Sequence, residues 1–178
     1  MQKTEMKIPY DRVGVIIGKE GEVKKQLEER TGCKLKVGEA SISIEGEDAI
    51  GFLQAQDVIR AIGYGFNPQA AFKLLDSDYI VLDVIPLDYE SNDLKRIKGR
   101  IIGKEGKMRK LIEELLGVRV SVYHKSVAII GEVENAGVAR EAVTMLIDGA
   151  QHNTVRKFLE DKRRELKLKV LDWEDVLE

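Results

Sequence analysis

Polar and apolar positions alternate along this chain with two periods, and the same order of periods occurs twice. Residues 4–9 (Thr-Glu-Met-Lys-Ile-Pro) alternate residue by residue, which predicts an edge strand stopped by Pro9. Asp11 is placed to cap a short helix reaching Ile17, and a helix-forming segment over 22–30 ends at Gly32. Residues 33–37 and 41–45 alternate again around Gly38-Glu39-Ala40 and read as a hairpin. A longer helix follows, from about Asp48 to Ile62. The second pass opens with an apolar strand over 79–85 stopped by Pro86, then a helix capped by Ser91 or Asn92 and ending near Ile102. A helix over 107–116, strands over 118–123 and 126–130, and a helix over 133–149 complete it. Each pass is β-α-α-β-β-α. That is an α+β plan, a three-stranded sheet with its helices on one face.

The pattern repeats because the sequence does. Ile16-Ile17-Gly18-Lys19-Glu20-Gly21 returns as Ile101-Ile102-Gly103-Lys104-Glu105-Gly106, 85 positions later. The offset needs no gap from Gly14/Gly99 to Gly46/Gly131, and 15 of those 33 pairs are identical. This is an internal duplication, so the 178 residues are expected to form two small domains, 1–63 and 79–150. Between them, 64–78 reads as a helical connector: Gly63 to Pro68 breaks the pattern, and Asn67 with Pro68 starts a short helix to about Leu75. Its apolar side (Ala71, Phe72, Leu74, Leu75) should pack on one or both domains. Residues 151–178 are expected to be one more charged helix, to about Val170, and an acidic tail. For the tail, a strand or turn packed back on the body is favoured over a partner-docking segment.

The repeated stretch has its own chemistry. Two glycines bracket Lys-Glu at a junction that opens a helix. Glycine lets another backbone approach closely, and the unpaired N–H groups of a helix start attract anions. The lysine adds charge, so the tip suits phosphate. A two-residue insert is too short to wrap a triphosphate. A P-loop is excluded by spacing as well: Gly14 to Gly18 and Gly99 to Gly103 leave three residues, and Glu follows Lys where a magnesium site needs Ser or Thr.

Ile-Ile-Gly-x-x-Gly before a helix, in both copies, resembles the signature of the KH domain, and the element order is similar to the type I (eukaryotic) KH fold. The resemblance implies that Gly18, Lys19, Glu20, Gly21 and Gly103, Lys104, Glu105, Gly106 grip the backbone of about four nucleotides of single-stranded RNA or DNA. Bases would lie beside the loop, where Ile17 and Ile102 offer an apolar floor, although both residues equally suit the core.

The two copies differ in charge. From Tyr10 to Lys25 there are four basic residues (Arg12, Lys19, Lys24, Lys25) against three acidic. From Lys95 to Lys110 there are eight (Lys95, Arg96, Lys98, Arg100, Lys104, Lys107, Arg109, Lys110) against Glu105 alone. Local charge, rather than the net −2, is what holds a polyanion. The second copy is therefore expected to be the principal RNA site, through Lys98, Arg100, Ile102, Lys107, Arg109, Lys110 and the loop. The first copy is a secondary site (Ile17, Lys19, Lys24, Lys25) or a platform for proteins.

Other chemistry finds no support. His124 and His152 have no partner at metal-ligand spacing, Cys33 is the only cysteine and aligns with Val118, and no nucleophile motif occurs. No cofactor, metal or catalytic activity is expected. No apolar run approaches a membrane span and no leader peptide is visible, so a cytoplasmic location is expected.

Two KH-like units in under 200 residues, the connector Gly65-Phe66-Asn67-Pro68 and the run 95–103 also resemble one group: the archaeal and eukaryotic Dim-type (Partner-of-Nob) factors of small ribosomal subunit assembly. That resemblance implies binding near the 3′ end of small-subunit rRNA, in company with the rRNA-trimming endonuclease and other ribosome assembly or translation proteins. Eukaryotic members have a degenerate first loop. Here Gly18 to Gly21 is intact, which points to an archaeal member. The alternatives are a KH subunit of another RNA-processing or RNA-degrading complex, for which the usual appended barrel is not visible, and a KH-fold adaptor without RNA binding, which the second copy's charge disfavours.

Overall fold

The structure, a computed structural model, describes residues 1–177. The chain divides into two compact units, 1–82 and 83–178.

In the first unit, β1 (Gln2–Lys7) is followed by α1 (Tyr10–Ile17), a tight turn over Lys19–Gly21, α2 (Glu22–Thr31), the hairpin β2 (Lys34–Val37) and β3 (Ser41–Gly46), and α3 (Ala49–Gly63). The sheet is antiparallel, ordered β1-β3-β2, with Lys3 opposite Glu45 and Leu35 opposite Ile44. Alternation decides the faces. Ile42 and Ile44 point inward and are fully buried with Ile16, Leu27, Ile59 and Ile62. Glu45 points outward, between Lys3 at 2.7 Å and Lys36 at 3.3 Å. The hydrogen bond from Lys3, ahead of that from Lys36, holds the Glu45 carboxyl below the usual range, and Glu45 in turn raises Lys3.

The predicted connector belongs to the first unit. Asn67 accepts a hydrogen bond from the Ala70 N–H at 2.8 Å and starts α4 (Pro68–Phe72), which runs into a tight turn over Lys73–Leu75. Ala70, Ala71 and Leu74 are buried in contact with α3, and Arg30 of α2 reaches Asp76 at 3.2 Å.

The second unit repeats the plan with β4 (Ile80–Pro86), α5 (Ser91–Ile102), a tight turn over Lys104–Gly106, α6 (Lys107–Leu116), β5 (Arg119–Tyr123), β6 (Ser126–Glu132) and α7 (Val133–Ile147), its sheet ordered β4-β6-β5. Core positions correspond across the repeat: Ile16 with Ile101, Leu27 with Ile112, Ile44 with Ile129, Cys33 with Val118, all buried.

Three expectations are corrected. α1 begins at Tyr10 behind Pro9, so Asp11 lies inside the first turn and is not its cap, because proline presets φ at the position before the helix. α5 begins at Ser91 behind Glu90, one residue earlier than a Ser91 cap requires. The C-terminal segment forms no strand or turn. α8 runs unbroken from His152 to Leu177, since nothing between Val170 and Leu177 is a glycine or proline to stop it. The final part of the acidic tail lies outside the described side chains, which end at Glu174.

Candidate nucleic-acid interface

Both Gly-Lys-Glu-Gly stretches sit at a helix–helix junction with nearly identical backbones. Gly18 and Gly103 have φ +75°, Glu20 and Glu105 φ +54° and +57°, Gly21 and Gly106 φ +75° and +73°. The Gly18 carbonyl accepts from the Gly21 N–H at 3.3 Å, and that of Gly103 from the Gly106 N–H at 3.1 Å, closing the turn. At the first glycine no side chain fits. Its φ and ψ (75°, 177°) lie in a region open almost solely to glycine, and a Cβ there would stand 2.4 Å from Val23 Cγ2. At Gly103 the clash would be with Met108, at 2.8 Å. The second glycine has open space around its Cα, so a ligand's backbone can come close. The glutamates accept a left-handed conformation that costs about 1 kcal/mol for a residue with a Cβ.

The cations around the two loops have different fates. In the second unit Lys104, Lys107 and Lys110 are exposed, Lys98 is half-buried, and the structure gives none of them an acidic partner among the described residues. Lys95 joins them from one turn further back on α5, a residue the sequence counted as charge but did not select. Helical spacing puts Lys95, Lys98 and half-buried Ile102 on one face, leading onto the loop. Arg109 is tied to Glu113 at 2.6 Å, which also holds Arg119 at 3.3 Å, so its charge is largely cancelled. In the first unit Lys24 and Lys25 lie 3.8 and 3.9 Å from Glu28 and Glu29, and Glu22 replaces Lys107 at the helix start. Arg12 is engaged elsewhere, and Lys19 has no ion-pair partner among the described residues. Ile17 is half-buried, as Ile102 is.

Arg100, placed among the RNA ligands by sequence, is a brace. Its Nε donates to the Leu146 carbonyl at 3.1 Å and Nη2 donates to the Ala150 carbonyl. In the first unit Arg12 does the same, Nε to the Ile62 carbonyl at 2.8 Å and Nη2 to the Phe66 carbonyl at 2.7 Å. Ile62 and Phe66 each precede their counterparts by 84 positions, and each pair brackets a glycine of positive φ, Gly65 or Gly149. An arginine thus ties the helix before the loop to the end of α3 or α7. It shares the Ile62 or Leu146 carbonyl with the N–H of Gly65 or Gly149 and takes up the Phe66 or Ala150 carbonyl beyond the helix end. The sequence hid this because Arg12 and Arg100 are not at aligned positions: Arg12 aligns with Ile97 and Arg100 with Val15, one turn away.

The α6 start is electrostatically unusual. Its first turn contains no acidic residue and carries Lys107, Arg109 and Lys110, where the helix dipole disfavours cations. The arrangement costs stability in the free protein and concentrates positive potential on the loop, which suits phosphates. Beyond the loop, the Tyr123 and His124 rings meet with centroids 4.0 Å apart in the β5–β6 turn, where His124 has φ +48°. No group of three or more His, Cys, Asp or Glu side chains converges as a metal site among the described residues.

The comparisons agree with this geometry. The model of the second KH domain of PNO1, described as a eukaryotic-type (type I) KH domain, matches residues 79–164, and the general KH-domain model matches 3–61. A KH domain-containing protein of Methanocaldococcus jannaschii is 49% identical over 170 residues, 91% of this chain and 74% of that protein. The pre-rRNA-processing protein PNO1 of Coccidioides immitis is 35% identical over 131 residues, 70% of this chain and 51% of its own, so this chain spans about half of that relative. A chain in the crystal structure of an a/eIF2alpha–aDim2p–rRNA complex from Pyrococcus horikoshii superposes with a TM-score of 0.84 at 39% identity, covering 92% of this chain and 95% of that one. Two type I KH domains, in this order and with both glycine loops intact, place the chain in the Dim2/PNO1 family of tandem KH-domain proteins.

Proposed function

We propose that this protein is a single-stranded RNA-binding factor of small ribosomal subunit assembly, that it acts at the 3′ region of small-subunit rRNA, and that the second unit makes the principal grip. The observation that carries the reading is the unpaired set Lys95, Lys98, Lys104, Lys107 and Lys110 around a loop whose backbone is open to a close approach. Gly103 to Gly106 takes the phosphates, the lysines on α5 and α6 flank the strand, and Ile102 meets the bases. Arg100 holds the loop's helix in place, and Arg109 orders α6. The first unit, with the same loop but its cations paired, is a secondary RNA site through Gly18, Lys19, Glu20 and Gly21, and leaves surface for proteins such as the trimming endonuclease. Its action is binding without catalysis, in the cytoplasm. The relatives named for pre-rRNA processing and for a complex with rRNA support this reading.

The test is titration of the 3′-terminal small-subunit rRNA segment against a scrambled RNA of equal length. Three or four neutralised phosphates give a log–log salt slope of roughly −2 to −3. Changing Lys104 and Glu105 both to Asp should nearly abolish binding without unfolding the protein, and the same change at Lys19 and Glu20 should weaken it less. A larger loss from the first-unit variant would reverse the assignment. Equal affinity for both RNAs, with no association with small-subunit precursors in extract, would leave only a general RNA-binding protein.

A further inference from the structure

In the second unit a line of side chains on α5 leads onto the glycine loop. The same line exists on α1 with different chemistry. Tyr10 aligns with Lys95, Val13 with Lys98 and Ile17 with Ile102, each pair 85 positions apart. Seven residues make nearly two full helical turns, so Tyr10 and Ile17 lie along one side of α1, about 10 Å apart. Gly14 stands between them, and a Cβ there would meet nothing within 4 Å. Val13 is buried. A strand that passes lysine, lysine and isoleucine on α5 would therefore pass a phenol ring, bare backbone and isoleucine on α1.

Nothing in the core explains Tyr10. It is 74% exposed, and among the described residues no hydrogen bond or ring contact engages its side chain. Its footing, by contrast, is fixed. Ile8 is buried and its N–H donates to the Ala40 carbonyl at 3.0 Å, Pro9 follows at φ −53°, and Arg12 braces α1 through the Ile62 and Phe66 carbonyls. The ring thus stands on a rigid helix start beside an open path to the loop. A platform ordered in advance loses little freedom when a ligand settles on it. The cations nearby do not take its place: Lys24 and Lys25 face Glu28 and Glu29, which leaves Lys19 at the loop itself.

We infer that Tyr10 is a stacking platform for a base of single-stranded RNA, on the strand whose phosphates Gly18 to Gly21 hold. The inference rests on the first unit's being a secondary RNA site and states what secures the strand there. Every base presents a π face, so a ring accepts any sequence. Stacking releases no counterions, so the first unit's share of the affinity should depend on salt less than the second's. The two copies of one fold then hold RNA by different means, the second by charge along α5 and the first by a ring on α1.

The experiment uses the full chain and two RNAs, one long enough for both loops and one of about six nucleotides, enough for one grip. Tyr10→Leu should weaken the long RNA about fivefold, the lower end for a lost base stack, and leave the short one unchanged. Tyr10→Phe should bind as the parent does. Tyr10→Lys should make the log–log salt slope for the long RNA steeper by about 0.7, the increment of one added phosphate contact on a single strand. In a Trp173→Phe background, Tyr10→Trp supplies the sole tryptophan, and the long RNA should quench its emission. An unquenched emission, with a Tyr10→Leu protein that binds like its parent, would overturn the inference. If changing Lys19 and Glu20 to Asp still costs affinity in that case, the first loop stands as an RNA site without Tyr10; if it costs nothing, the first unit's RNA role falls as well. A loss from Tyr10→Phe as large as that from Tyr10→Leu would also overturn the inference, because the hydroxyl and not the ring would then be at work. So would an equal Tyr10→Leu loss on a strand made abasic outside the second loop's grip, which would assign the ring to the sugar–phosphate backbone.

Discussion

Lys107 offers a test in which stability and binding should move in opposite directions. It is the first residue of α6, where free N–H groups and the positive end of the helix dipole face the loop. A cation there opposes the dipole and a carboxylate complements it, each by about 0.3–1 kcal/mol, so Lys107→Glu should stabilise the free second unit by about 1 kcal/mol. The introduced carboxylate also stands three residues before Lys110, a spacing that adds a few tenths of a kcal/mol. For a domain of this size the midpoint of the second unit's transition should rise by about 4–8 °C. The first unit supplies the precedent, because its helix start already carries Glu22 at the matching position. RNA binding should fall over the same exchange. One phosphate contact is lost, which makes the log–log salt slope shallower by about 0.7, and a negative charge now faces the strand. Scanning calorimetry reads the first effect and RNA titration at several salt concentrations the second. A variant whose second unit melts lower, or which keeps the parent's salt slope, would refute the idea that α6 gives up stability for phosphate affinity.

Further outcomes follow from the same geometry. Arg100→Met should cost about 2 kcal/mol of stability by removing two charge-assisted hydrogen bonds, to the Leu146 carbonyl, which keeps the Gly149 N–H, and to the Ala150 carbonyl, yet leave the salt slope of RNA binding unchanged; a shallower slope would make Arg100 a phosphate ligand after all. Gly103→Ala should destabilise by about 2–3 kcal/mol, because the required φ and the approach to Met108 both exclude a side chain; a variant as stable as its parent in urea would contradict this. The raised Asp57 pKa means that the folded state favours the protonated carboxyl, so its contribution to stability is present at acid pH and lost as pH rises through the carboxylate range. Asp57→Asn should therefore gain stability relative to the parent as pH rises, and a gap that widens on acidification would reverse the sign.

The sequence revealed most where a residue's neighbours are close along the chain. Alternation in 41–45 placed Ile42 and Ile44 inward because a strand has only two faces, and the doubled Gly-Lys-Glu-Gly fixed the loops because the left-handed backbone at Glu20 and Glu105 comes from the local turn itself. It failed where partners come from a distance. The charge count gave Arg100 to RNA because nothing local reveals that the Leu146 and Ala150 carbonyls lie within its reach, 46 and 50 residues on. It treated Arg109, Lys24 and Lys25 as free, although each has a carboxylate four residues later, a spacing that was readable. It read the apolar side of 64–78 as packed on one or both domains, and Ala71 and Leu74 are buried, but that the segment joins the first unit through α3 depends on packing that no local pattern encodes.

The intact first loop bears on how such a protein finds one place on a long RNA. A grip of about four nucleotides recurs many times in any ribosomal RNA, so a single unit cannot define a site. Two units on one chain change the arithmetic. Once the second loop is bound, the first meets the same strand at an effective concentration of about 1 mM for a short connection. If the first loop, with Lys19 as its unpaired cation, binds with a dissociation constant of about 0.1 mM, an RNA long enough for both should bind about tenfold tighter, or about 1.4 kcal/mol. An RNA of about six nucleotides, long enough for one grip, should show no such gain. Changing Lys19 and Glu20 to Asp should erase the tenfold difference and leave the short RNA's affinity untouched, while the Lys104 and Glu105 changes weaken both lengths. Titration of the two RNAs against the three proteins, by anisotropy at one fixed salt, separates these cases. Equal affinity for short and long RNA in the parent would mean that the first loop keeps its geometry without holding this strand.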